Sequence, residues 1–253
     1  MSLDGQNDRE RYERERSFHD ERFSADERAA DRFYNDSIDR SLEAFFKRLD
    51  ALPADADALD YGCGATALTA IHLAQRGHRV IAVDLSPVAI ERARVRARAF
   101  GVADRIVFRV GNAEALELPA GSFDVVAGTG ILHHLNLSAA YPEIARVLRS
   151  GGTCVFMEPL GHNPLINLYR RRTPEQRTPD EHPLLMRDFE LARRWFGQIE
   201  LQYFMLTALI TLPFRRTRGN QRLIDRFDAI DRLLLSRVPL LRRYAWKVVV
   251  TLS

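Results

Sequence analysis

Between residues 56 and 160, short β-rich runs alternate with runs of helical spacing, and glycine or proline stands at nearly every change. The run 58–62 (ALDYG) reads as a strand entering a glycine turn. Residues 66–77 carry helical spacing and stop at Gly77, a natural C-cap. A second strand is expected over 78–86, after which Ser86 as N-cap and Pro87 in the first turn open a helix. Further strands are expected over 105–111, 123–128 and 153–159, with a helix from Ser138 to the Gly151-Gly152 pair before the last. Strands joined through helices lie parallel, and a parallel sheet is covered on both faces. The segment is therefore expected to form an α/β layer structure.

The rest of the chain extends that core. Residues 5–50 form an acidic, helical region, and 161–184 a polar, proline-punctuated loop with a short helix. A helix over 186–197 leads into a partly extended segment from Ile199. Leu223, Phe227, Ile230 and Leu234 fall at amphipathic helical spacing, and 244–253 closes as a strand. With 253 residues, 46% of them hydrophobic, the chain can bury one full core. Two cysteines, Cys63 and Cys154, cannot make a disulfide framework, so a reducing, cytoplasmic setting is expected. The charged N-terminus has no apolar signal region, and the stretch 204–214 is too short to cross a bilayer. The net charge of +3 hides a gradient: residues 1–60 carry −7 (10 basic, 17 acidic) and 215–253 carry +7 (10 basic, 3 acidic). A basic tail favours anionic partners, although a solvated helix face has the same composition.

The most specific chemistry sits at Asp60-Tyr61-Gly62-Cys63-Gly64-Ala65-Thr66. Glycines after a strand let the backbone turn sharply and approach a ligand, and the amides of the next helix suit a polar group. Asp84 lies 22 residues after Gly62, where a carboxylate can accept both hydroxyls of a ribose. The Gly62-x-Gly64-x-x-Ala67 spacing also fits a relaxed dinucleotide fingerprint, so a nicotinamide or flavin oxidoreductase stays open on this motif alone.

Taken together, the runs 58–94 (ALDYGCGATALTAIHLAQRGHRVIAVDLSPVAIERAR), 110–135 (VGNAEALELPAGSFDVVAGTGILHHL) and 143–159 (EIARVLRSGGTCVFMEP) resemble the ordered motifs of class I S-adenosylmethionine-dependent methyltransferases. The resemblance covers about residues 56–160. It implies a Rossmann-like seven-stranded sheet of order 3-2-1-4-5-7-6, with the seventh strand antiparallel, supplied by 244–253. It also implies a single domain: an N-terminal helical lid (1–55), a cofactor-binding core (56–160), and an acceptor segment with the final strands and a helical insertion (161–253). The implied cofactor is S-adenosylmethionine, leaving as S-adenosylhomocysteine. By resemblance, Asp60 lies near the methionine amino group, and Gly62, Cys63 and Gly64 shape the adjoining wall. Asp84 holds the ribose, Leu85 meets the adenine, Asn112 and Ala113 flank the adenine amino group, and Thr129 joins the set. Two positions depart from the family pattern. Asn112 replaces the usual Asp, and Thr66 replaces the third glycine, where its hydroxyl is expected to cap the helix.

Methyl transfer from a sulfonium is an in-line displacement in which the protein chiefly aligns the reactants, and a base is needed only for acceptors protonated at working pH. His133, with His134 after the fourth strand, and His19 in the lid are base candidates, and Tyr34 is a lid contact. The loop from Glu158 begins at a strand's carboxyl end and adds His162, Asn163, Arg171, Glu181 and His182. No group shows metal-ligand spacing, so no metal is expected. A small-molecule or lipid-like acceptor is expected, because apolar residues 199–214 and 222–241 border Arg215, Arg216, Arg218, Arg242 and Arg243. Such a segment also suits peripheral membrane contact. An RNA substrate is the second reading among acceptors, weakened by the lack of an RNA-binding module. A non-catalytic S-adenosylmethionine-binding protein is a further alternative.

Overall fold

The computed structural model describes residues 3–24, 39–214 and 221–253; Tyr34, Arg215, Arg216 and Arg218 lie outside them. Seven strands form one sheet: β1 Asp57–Tyr61, β2 Arg79–Asp84, β3 Ile106–Val110, β4 Phe123–Thr129, β5 Leu148–Pro159, β6 Ile199–Phe204 and β7 Lys247–Leu252. Their order is β3-β2-β1-β4-β5-β7-β6, as the motif order implied. β1 to β5 run parallel, and β7 enters antiparallel between β5 and β6. The described helices are α1 Leu3–Ser24, α2 Asp39–Leu49, α3 Leu68–Gln75, α4 Pro87–Ala99, α5 Leu137–Val147, α6 Pro164–Arg172, α7 Met186–Ala192 and α8 Gln221–Arg237. α8, flanked by 3-10 turns, is the helical insertion before the last strand.

The apolar character of the strands follows from burial on both faces. Successive side chains point to opposite sides, so Leu59, Val126, Phe156 and Val250 meet α5 and α7, while Ala58, Val125, Val155 and Val249 meet α2, α3 and α4. Tyr141 and Ile144 of α5 fill the first layer; Phe45 and Leu49 of α2 fill the second.

Two boundaries differ from the sequence expectation. α5 starts at Leu137 because Asn136, not Ser138, is its N-cap, accepting the Ser138 amide on its side-chain oxygen. Gly151 and Gly152 lie inside β5 rather than ending a helix. There the pairing with β4 shifts register, and a Cβ on Gly152 would stand 2.8 Å from Leu148.

Register sets the level of the site. Asp60 pairs with Ala82 on one side and Ala127 on the other, so the chain leaves β1, β2 and β4 at one edge, at Gly62, Asp84 and Thr129. Such carboxyl-end edges are where open α/β sheets bind ligands. α1 lies across this edge. Arg11 grips both Glu114 oxygens at 2.8 and 2.7 Å, Tyr12 donates to Glu114 at 2.8 Å, and Arg14 pairs with Asp180 at 3.0 Å. No helix among the described residues is long and apolar enough to cross a membrane.

Candidate active site

The glycine turn is held from below. The amides of Gly62 and Cys63 both donate to the Val83 carbonyl, at 2.9 and 3.0 Å. Gly62 has φ +75°, and a Cβ there would fall 2.6 Å from Ile131, so any side chain would have to displace Ile131 as well as take up a strained backbone. Gly64 also has positive φ, but nothing lies within 4 Å of its missing Cβ; it presents open backbone to a cavity. The Thr66 hydroxyl does not cap α3. The N-cap is Ala67 in the left-handed region, without side-chain help, and Asp60 Oδ2 instead accepts the Ala70 amide at 2.9 Å. Asp60, expected near the methionine amino group, is fully buried and lines neither cavity described below. Burial pushes its carboxyl up to about 7.

The first cavity is lined by Gly62, Gly64, Asp84, Leu85, Asn112, Ala113 and Thr129, with α1 as its roof. Asp84 accepts the Gly64 amide on Oδ2 at 2.8 Å and the Ser86 amide on Oδ1 at 2.9 Å. A carboxylate offers about four lone-pair sites, so two of Asp84's remain for hydroxyl donors. Burial raises its carboxyl, opposed by those two amides. Asn112 works as Asp would, because its Oδ1 accepts the Glu114 amide at 2.9 Å and fixes the loop. A bare glycine wall, a carboxylate with spare acceptors and the apolar Leu85 together fit an adenosyl group.

The second cavity shares Gly62, Gly64, Thr129, Gly130, His19 and His134 with the first and continues past Cys63, Met157, Ile166, Arg170, Glu181 and Lys247. His133 lines it. Its Nδ1 lies 2.7 Å from Oε2 of Glu158, whose Oε1 accepts the amides of Ile131 and Leu132, both at 2.8 Å. Two amides already donate to this carboxylate, and as an ionised acceptor it assigns the His133 proton to Nδ1, leaving a lone pair on Nε2. Burial, then the neighbouring His134, hold His133 well below its ordinary value and keep it neutral. Burial pushes Glu158 up to about 7 against its two amide donors, and pushes Lys247 down to about 8. Glu181 is tied to Arg170 at 2.7 Å.

Several expected acceptor contacts lie elsewhere. Glu158 is wholly buried, with its side chain directed at His133. His162 Nε2 is occupied by the Met186 amide, and Asn163 caps α6 while donating to the Tyr244 carbonyl. The His182 side chain is outside the cavity lining, although its amide donates to the His133 carbonyl at 2.8 Å. Arg171 is exposed; Ile166 and Arg170, one helical turn apart, are the α6 residues that face inward. The lining also includes residues without an expected role: Arg11, Tyr12 and Glu15 on α1, with Glu114, Arg170, Trp246 and Lys247. The four-residue spacing of Arg11, Glu15 and His19 is the signal that marks this face of α1 in the sequence.

Known proteins match this core. The family model described as a methyltransferase domain matches residues 59–156. The ubiquinone biosynthesis O-methyltransferase of Xanthomonas axonopodis pv. citri is 35% identical over 125 residues, 49% of this chain and 50% of that protein. The 27-O-demethylrifamycin SV methyltransferase of Amycolatopsis mediterranei is 40% identical over 96 residues, 37% of this chain and 35% of its own. Among solved structures, the YcgJ protein of Bacillus subtilis superimposes with a TM-score of 0.57 at 21% identity, covering 84% of this chain and 96% of that one. This chain spans about half the length of the first curated relatives it matches. The motif order, the sheet order and the matched domain agree: residues 59–156 are similar to a methyltransferase domain, set in a sheet of the order those motifs imply.

Proposed function

We propose that this protein transfers a methyl group from S-adenosylmethionine to a hydroxyl oxygen of a small, largely apolar acceptor. The observation that carries this reading is the meeting of the two cavities at Gly62, Gly64, Thr129 and Gly130, with a Glu158-oriented imidazole on the acceptor side. When bound, S-adenosylmethionine supplies an electrophilic methyl on a sulfonium and leaves as S-adenosylhomocysteine. Asp84 accepts the ribose hydroxyls, and Leu85, Asn112 and Ala113 border the adenine. On the acceptor side, His133 Nε2 takes the hydroxyl proton as the oxygen attacks, and the buried Glu158 carboxylate stabilises the imidazolium that forms. Met157, Ile166 and Trp246 give the acceptor an apolar bed, and Lys247 and Arg170 fix its polar end. Two of the relatives are named as O-methyltransferases or by an oxygen position, which supports oxygen as the receiving atom. The test is to incubate the protein with deuteromethyl-labelled S-adenosylmethionine and a small-molecule and lipid extract, read by mass spectrometry. A labelled methyl ether is the expected product; cofactor binding without any labelled product would favour a non-catalytic binding protein.

A lipid-like acceptor reached from a membrane surface is the finer form of this proposal. Exposed Leu165, Ile210, Leu233 and Leu240 on and around the arginine-rich α6 and α8 favour it. Cosedimentation with anionic vesicles at low salt is expected, and its absence contradicts this form alone.

A further inference from the structure

We propose that Glu15, His19 and His134 form a binding site for a divalent transition-metal cation of the zinc class, fastening α1 across the sheet edge. Glu15 and His19 are four residues apart on α1 and so share a face, and His134 comes from the turn after β4. Glu15 Oε2 lies 3.2 Å from His134 Nδ1 and 3.5 Å from His19 Nε2, and one donor atom from each residue falls within 4.8 Å of the others. A tetrahedral zinc site with bonds of about 2.0–2.1 Å places neighbouring ligand atoms about 3.3 Å apart. Both distances to Glu15 are therefore close to those of donors around a cation, and the two imidazoles lie within 4.8 Å of each other.

A second observation points the same way. Glu15 Oε2 and His134 Nδ1 are both buried and have no hydrogen-bond partner among the described residues. They are near enough to bond yet not aligned to do so. Buried polar atoms left in this state call for an unseen partner. The carboxylate is steadied from behind, because Glu15 Oε1 accepts the Thr178 hydroxyl, the kind of outer support that holds metal ligands in place. Two imidazoles and one carboxylate suit zinc, cobalt or nickel better than magnesium. His19 and His134 line both cavities, so the cluster sits where the two meet.

The neighbouring combination of His133, His134 and Glu181 is less suited. Glu181 is already bound by Arg170, His133 Nδ1 is committed to Glu158, and His133 Nε2 stands 3.9 Å from Glu181.

This inference does not depend on the acceptor or on turnover, and its readout is metal binding by the untagged full chain. Chelator-stripped protein is titrated with Co²⁺ and followed by visible absorption, and Zn²⁺ stoichiometry is measured by equilibrium dialysis. One equivalent of each, with the intense bands of tetrahedral cobalt, is expected. Glu15→Gln and His134→Asn should each weaken binding at least tenfold, and Glu181→Gln should leave it unchanged. If His134→Asn fails to fold, His19→Gln on the lid helix serves instead, with circular dichroism confirming the fold. No stoichiometric binding would overturn the proposal and leave Glu15 and His134 as an ion pair alone. Binding insensitive to Glu15→Gln and His19→Gln, or abolished by Glu181→Gln, would also overturn it.

Discussion

The cavity proposed for the cofactor and the cavity proposed for the acceptor share a wall but are assembled differently. Gly62, Gly64, Asp84, Asn112 and Thr129 each follow or end a strand of the parallel sheet, at a level set by ladder register. The acceptor side draws on a buried carboxylate on β5, an imidazole after β4, two side chains of α6 and the first residue of an antiparallel strand. Backbone geometry governs the first cavity, and side-chain pairs from distant segments govern the second. Damage to one should therefore leave the other largely intact.

The largest effect expected is on the acceptor side. His133→Ala should lower turnover by about 10²–10⁴-fold, the range of a lost general base, with S-adenosylhomocysteine affinity within about threefold of wild type. A steady-state methyl-transfer assay checks this, and a matching loss of cofactor affinity would break the separation of the cavities. Glu158→Gln should lower turnover by a smaller factor, about 10–100-fold, because an amide no longer stabilises the imidazolium. Wild-type turnover in this variant would mean that the 2.7 Å bond serves packing only.

The turn itself separates two kinds of glycine. Gly62→Ala meets Ile131 as well as an unfavourable φ, and should cost about 2–4 kcal/mol in urea unfolding. Gly64→Ala has only the φ to contend with and should cost about 1–2 kcal/mol. Equal losses would show that Ile131 yields readily. At the small end, His162→Ala and His182→Ala should keep turnover within about twofold of wild type, because neither side chain lines the cavity and His162 Nε2 is taken by the Met186 amide. A tenfold loss in either would place the loop after β5 in the chemistry after all.

The two cavities were unequally legible from the sequence. Local rules cover Gly62 and Asp84, because each sits where a strand ends and the chain must turn, whereas Asn112 is implied only by the family resemblance. The same rules failed for Thr66, whose expected cap is replaced by Asp60 reaching across the turn to the Ala70 amide. Arg171 and Arg170 differ by one position, yet about 100° of helical rotation puts only Arg170 in the cavity. Lys247 reads as the start of an apolar strand, and only the insertion of β7 beside β5 brings it to Glu158 and the site. Glu158 itself reads as a residue at an open strand end. Its burial depends on the backbone of residues 131–132 folding over it, which no local pattern announces.

The separation of cofactor binding from acceptor chemistry is tested most directly by calorimetric titration of S-adenosylhomocysteine into wild type, Asp84→Ala and His133→Ala in parallel. Asp84→Ala should bind about 100-fold more weakly, the scale of two lost hydrogen bonds to a charged group, while His133→Ala binds as wild type. Wild-type affinity in Asp84→Ala, or an equal loss in both variants, would contradict the assignment of the two cavities.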